Sequence, residues 1–133
     1  MTKTKSDLVQ AWCEKGRRDF ITAKNGLLDA NEIFPDIICF HAQQAAEKYL
    51  KAYLVFLEKE FPKTHALEDL VLLTSVNDPV ANNLFAVASD LSPYAVEIRY
   101  PDSLSPSIED AREAVYSAGA IRNWVLEKIG LTE

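Results

Sequence analysis

His41, Gln44, Lys48 and Lys51 fall within one short stretch, "FHAQQAAEKYLKAYL", and supply groups that an anionic ligand could use. An imidazole can exchange a proton near neutral pH, an amide can donate and accept, and two ammonium groups attract phosphate or carboxylate. Advancing about 100 degrees per residue along a helix puts Gln44, Glu47, Lys48 and Lys51 in one polar sector, with His41 at its boundary. Gln43 points about 100 degrees away from Gln44, so the two amides do not form one clamp. A solvated helix edge would use the same residue types, with Glu47 and Lys51 as a weak surface pair four positions apart.

Three further groups carry chemical capacity. Arg99 and Tyr100 in "IRYPD" combine a rigid donor fork for phosphate with a ring that can stack or donate. His65, in "PKTHALEDL", stands at the entrance of an expected short helix for which Thr64 is the leading N-cap candidate. Arg122 falls near the centre of an otherwise apolar helix face. It therefore needs water or an acidic partner, for which the two opening helices are the expected source. The chain has no nucleophile elbow, glycine-rich phosphate loop, EF-hand or zinc deaminase motif.

The elements that must position these residues are helical. Periodicity predicts three long helices over 5–29, 36–60 and 106–129, with two shorter ones over 66–74 and 79–95. In the first, Leu8, Val9, Trp12, Gly16, Phe20, Ala23 and Leu27 trace an apolar face. In the second, Ile38, Ala42, Ala45, Ala46, Tyr49, Leu50, Tyr53 and Leu57 form the core sector, and Pro35 is suited to its first turn. Leu84, Phe85, Ala88 and Leu91 make a shorter face before Pro93, and Pro101 marks an exit from helix near Tyr100. The last helix repeats Ala111, Val115, Ala118, Val125 and Ile129. The expected fold is an all-α bundle in one domain spanning 1–133, with its core over about 5–129.

Composition limits the partners. With 14 basic and 20 acidic residues, the formal charge of -6 disfavours nonspecific attraction of nucleic acid over the whole surface, while a local cationic patch stays open. No apolar run reaches the length of a membrane span and the start lacks a signal-like segment, so cytoplasm is the expected location. Cys13 and Cys39 read as reduced, small apolar residues, and two distant histidines offer no metal motif.

Taken in order, "CFHAQQAAEKYLKAYL", "PKTHALEDL" and "LSPYAVEIRYP" resemble the HEPN domain family, and the likeness runs from Asp19 through the last helix. The resemblance implies an up-and-down, four-helix-bundle-like domain with an additional short helix, and a homodimer. It also implies, as partner, the minimal nucleotidyltransferase with which many family members form two-component toxin and antitoxin systems. Other members are ribonucleases with an Arg followed, after a polar residue and a short spacer, by a His near the last helices. Arg99, Arg112 and Arg122 have no histidine after them here, because His65 is the last one. The likeness is therefore to the group described as nucleotide-binding, and noncatalytic binding is favoured. Gln44, Lys48, His65, Arg99 and Tyr100 are the candidate nucleotide or RNA contacts, with His41, Lys51 and Arg122 as weaker ones. ATP or another nucleotide is the expected ligand, and no cofactor is obligatory. The alternatives are an atypical metal-independent RNase toxin, with Arg99 on the phosphate and His41 or His65 in acid or base chemistry, and a structural dimerisation or protein-interaction module.

Overall fold

Reciprocal caps set the starts of the two helices that frame the molecule. Thr4 Oγ1 accepts from the Asp7 amide while the Asp7 carboxylate accepts from the Thr4 amide, and α1 follows over Lys5–Leu27. Ser107 and Asp110 repeat the arrangement at the start of the last helix, Ile108–Ile129, whose end is closed by Gly130 at φ 75. Between them lie α2 (Pro35–Phe56), α3 (Leu67–Ser75) and α4 (Phe85–Leu91), so the last helix is α5. These bounds belong to a computed structural model that describes residues 2–95 and 105–133. The stretch 96–104, with Arg99, Tyr100 and the expected helix exit at Pro101, lies outside the described residues.

The described residues form an all-helical, up-and-down bundle without a strand. α1 runs antiparallel to α2: Lys5 reaches the Phe56 carbonyl at one end, and Gly26 abuts Ile38 at the other. α5 runs alongside α2 in the same direction, with Tyr53 edge-on to Trp124 at 5.2 Å, because α3 and α4 have carried the chain back. α2 is consequently the central helix and packs most extensively on α1, then on α5. Its Tyr49, Leu50 and Leu54 are wholly buried. Such burial stabilises by about 1.5–3 kcal/mol for each large apolar side chain.

Three expectations need correction. The segment foreseen as one helix over 79–95 is two 3-10 turns, Pro79–Leu84 and Ser92–Ala95, flanking α4. Pro79 starts the first turn under a cap in which Asp78 Oδ1 accepts from the Val80 amide. Thr64 does not cap α3. Its hydroxyl accepts from Ala66, and the Leu67 amide instead donates to Ser92 Oγ at 2.7 Å, so a residue distant in sequence supplies the missing acceptor. Leu8, placed on the core face, is 40% exposed, and its neighbour Val9, 5% exposed, is the residue buried at that level of α1.

Asp78 also ties the chain to α5. Its carboxylate binds Lys128 at 3.1 Å and accepts from Tyr53 at 3.3 Å. The bond from Lys128 holds the carboxyl below its ordinary range. Among the described residues, no helix is long and apolar enough to cross a membrane.

Candidate functional site

The α1–α2 face gathers most of the residues singled out in the sequence, and it does so through two carboxylates. Asp19 lies three positions after Gly16 and four before Ala23, on the face of α1 turned towards α2. An acid there requires partners. It has two from α2: His41 Nδ1 lies 2.9 Å from Oδ1, and Lys48 donates to Oδ2. His41 and Lys48 are seven positions apart, two helical turns, so one carboxylate meets both.

The second carboxylate is Glu47. Its Oε2 accepts from Lys51 at 3.1 Å, and its Oε1 meets His65 Nδ1 at 2.9 Å and Gln43 Nε2 at 3.3 Å. Gln43 also donates to the His65 carbonyl at 3.1 Å, which fixes the entrance to α3, and Gln44 donates to Gln43 Oε1 at 2.7 Å. The expected weak surface pair is therefore a buried ion pair, with the Lys51 and Glu47 side chains 11% and 5% exposed. A helical wheel cannot show this, because the cover comes from elsewhere in the chain. The Lys51 ammonium sits over the rings of Trp12 and Phe61 at 5.5 and 5.7 Å.

The polar edge is continuous and largely satisfied from within. Gln44, Lys48, His65, His41 and Lys51 all lie along it, and each has a bonding partner in the chain. Among the described residues, no buried polar side-chain atom lacks a partner. A carboxylate facing Nδ1 places a ring proton on that nitrogen in both histidines, leaving Nε2 as acceptor in the neutral ring and donor in the charged one. His65, with a 60% exposed side chain, presents that edge outward, whereas His41 is half-buried.

Arg122 belongs to a different place. Its partner is not on the opening helices but on the segment after α5, where Nε meets Glu133 Oε1 at 3.1 Å. The same oxygen accepts from Tyr49 at 2.6 Å, and the guanidinium lies 5.3 Å from the Phe20 ring centroid. Burial, reinforced by the bond to Glu133, raises the Tyr49 phenol far above its ordinary value. Glu133, Asp19 and the amide of Gln43 were not singled out from the sequence. Asp19 alone carried a readable signal, as an acid within an apolar face.

A further depression, about 560 Å³ in volume, lies between α4 and α5 away from all these groups and is edged by Asp90, Tyr94, Glu109, Asp110, Arg112 and Glu113. The cysteines are free and buried. Burial pushes the Cys13 thiol up to about 11 and the Cys39 thiol up to about 12. Among the described residues, no three His, Cys, Asp or Glu are grouped to hold a metal ion.

The family model described as HEPN domain matches residues 9–129. The fold is similar to the crystal structure of TT1696 from Thermus thermophilus, with a TM-score of 0.74 and 28% identity over 90% of this chain and 97% of that one. It is also similar to ST0689, described as an archaeal HEPN homologue, with a TM-score of 0.70 and 27% identity over 91% of this chain and 97% of the other. No curated protein matches the chain.

Proposed function

The chain belongs to the HEPN domain family, and from that premise we propose that it acts as a nucleotide- or RNA-associated helical module in the cytoplasm. In this reading it works as a homodimer beside a minimal nucleotidyltransferase in a toxin-antitoxin-like system. The observation that carries the ligand class is the α2 edge, where two carboxylates each hold a lysine and a histidine ring. Each carboxylate balances one ammonium, and the ring beside it adds a polar edge that an anionic ligand can meet. Gln44 adds an amide to the same edge, and Arg99 and Tyr100 complete the proposed contact set.

Titration of the full chain with ATP and with RNA, alone and with the nucleotidyltransferase, tests this. Saturable shifts of the His41 and His65 ring resonances, weakened in Lys48→Ala and His65→Ala, are expected. Absence of saturable binding by any ligand or by the partner rejects the reading. A native mass measurement decides between monomer and homodimer.

RNA cleavage is the second reading, favoured by one observation. Both histidines have Nδ1 held by a carboxylate, which orients Nε2 as a proton acceptor. Cleavage of an RNA panel by the purified protein, lost in His41→Ala or His65→Ala, would establish it over simple binding. An intact panel would eliminate it.

A further inference from the structure

The contact between Glu133 and the bundle has the form of a ligand in a site. After α5, Gly130 adopts a left-handed conformation and the Leu131 amide donates back to the Leu126 carbonyl at 3.0 Å. This closing turn redirects the chain over the cleft between α1 and α5. Leu131 packs on the core, while the Thr132 backbone runs along the surface. The Glu133 side chain reaches inward and is only 12% exposed.

What receives it is built for an anion. Tyr49 is wholly buried at the middle of α2, with Gly16 of α1 pressed against its ring, so packing alone would be served as well by a phenylalanine. Its hydroxyl instead aims at Glu133 Oε1. Arg122 lies on the Phe20 ring, which orients its fork, and donates Nε to the same oxygen while Nη1 is held by Asn123 at 2.7 Å. Arg17, already bound to Glu14, stands beside the segment and adds favourable charge. One oxygen of Glu133 thus takes both main donors. A depression of about 440 Å³ adjoins it, bounded by Gln10, Cys13, Glu14, Arg17 and residues 131–133. An anion with several oxygens could share those donors among them and occupy that space.

We infer that Tyr49 and Arg122 form an oxyanion site which the chain closes with its own Glu133 carboxylate, and that a phosphate group takes Glu133's place when residues 131–133 lift. The site lies outside the α2 edge and goes beyond the function proposed above. Glu133 acts as a tethered competitor, so the apparent affinity for phosphate is set by the balance between segment docked and segment lifted.

Inorganic phosphate is the probe, titrated into the full chain and followed through the Tyr49 ring and Arg122 side-chain resonances. A tethered ligand competes at an effective concentration on the order of millimolar, so Glu133→Gln should bind phosphate at least about tenfold more tightly than the wild type. Adding Arg122→Gln or Tyr49→Phe to Glu133→Gln should remove that gain, and circular dichroism checks that each variant is folded. Equal affinity in the wild type and Glu133→Gln, or a gain that survives loss of Arg122, overturns the site. Acetate binding Glu133→Gln as tightly as phosphate overturns the assignment to phosphate. In the wild type, high phosphate should also speed alkylation of Cys13, which lines the same depression; an unchanged rate at saturating phosphate overturns displacement of the segment. Failure of ATP and RNA to bind the wild type would remove the proposed function while leaving the Glu133→Gln result standing.

Discussion

The α1–α2 face and the α4–α5 face both concentrate charge, but they do so in opposite ways. On the first, Asp19 is held by His41 and Lys48 of α2, Glu47 is held by Lys51 and Gln43 of its own helix and by His65 ahead of α3, and apart from the exposed His65 ring these groups are half-buried or buried. On the second, Asp90, Glu109, Asp110 and Glu113 surround one guanidinium, Arg112, around an open depression. The Arg112–Glu109 pair there is 61% and 69% exposed. Charge on the first face is part of the packing, whereas charge on the second is mainly a field. Four carboxylates against one cation along this depression repel phosphate, so it is the poorer place for a nucleotide.

The sharpest way to break this contrast is to remove the centre of the buried cluster. Glu47→Ala strands the Lys51 ammonium beneath Trp12 and Phe61 and leaves His65 and Gln43 without their shared acceptor. Removing one partner of a buried pair typically costs about 3–5 kcal/mol. Chemical denaturation of the variant should show a loss of that order. A loss below about 1 kcal/mol would mean that water reaches Lys51 and that the pair behaves like a surface bridge.

The cysteines sample both faces by pH. Cys13 lies on α1 beside Glu133, and Cys39 shares a hydrogen bond with Tyr94, which lines the acidic depression and is itself pushed up to about 12 by burial. These acids have folded values above their unfolded ones. Their contribution is fully present below the unfolded thiol value, near 8.5, and is lost as pH rises through about 11 and 12. Stability should therefore fall across that alkaline window. Cys39→Ala should flatten the upper part of the fall and Cys13→Ala the lower part, as read from denaturant midpoints at each pH. Identical profiles for wild type and both variants would show that folding leaves the proton affinity of neither thiol changed.

The contact of the two long helices comes next. A methyl at Gly16 would stand 3.0 Å from the Tyr49 ring, which is wholly buried and has no room to turn. Gly16→Ala should cost about 1–3 kcal/mol by overpacking. It should also disturb the Tyr49 hydroxyl and weaken its bond to Glu133. An unchanged melting temperature would show that the helices can slide apart without penalty.

How much of this was legible in the sequence follows from which forces are local. Apolar periodicity over three long segments locates α1, α2 and α5, because burying a helical stripe is decided by residues three and four apart. The partners of the polar residues are set by cover from distant segments. Lys51 sits on the polar side of its own helix, and the rings of Trp12 and Phe61, from elsewhere in the chain, cover its ammonium. Arg122 announced its need for an acid, but the acid arrives after the turn at Gly130, a path that no periodicity predicts. Asp19 was the missed opportunity, since an acid inside an apolar face is itself a statement that a cation lies opposite.

Asp19→Asn tests the shallower cluster and should have a smaller effect than Glu47→Ala. His41 and Lys48 are 29% and 23% exposed, so water can take over part of what the carboxylate supplies. A loss of about 1 kcal/mol is expected, and ligand binding should tighten because Lys48 is freed from its internal anion. Weaker nucleotide binding in a folded Asp19→Asn protein would instead make Asp19 a positioning residue that holds Lys48 and His41 for the ligand.

The smallest change should come from the acidic face. Arg112 and Glu109 are joined at 3.2 Å on one helix, three positions apart, with both side chains mainly in water. Holding two long exposed side chains together loses conformational entropy that offsets most of their attraction, so Arg112→Ala should alter stability by no more than about 0.5 kcal/mol. The electrostatic effect should be easier to detect. Removing the guanidinium from among four carboxylates deepens the local negative potential, and chloride or phosphate should become still less able to perturb the Tyr94 and Tyr116 ring resonances that line the depression. If Arg112→Ala costs as much as the buried-pair variant, the face is packed rather than open; if it abolishes nucleotide binding, the anion site belongs here and the α2 edge is only structural.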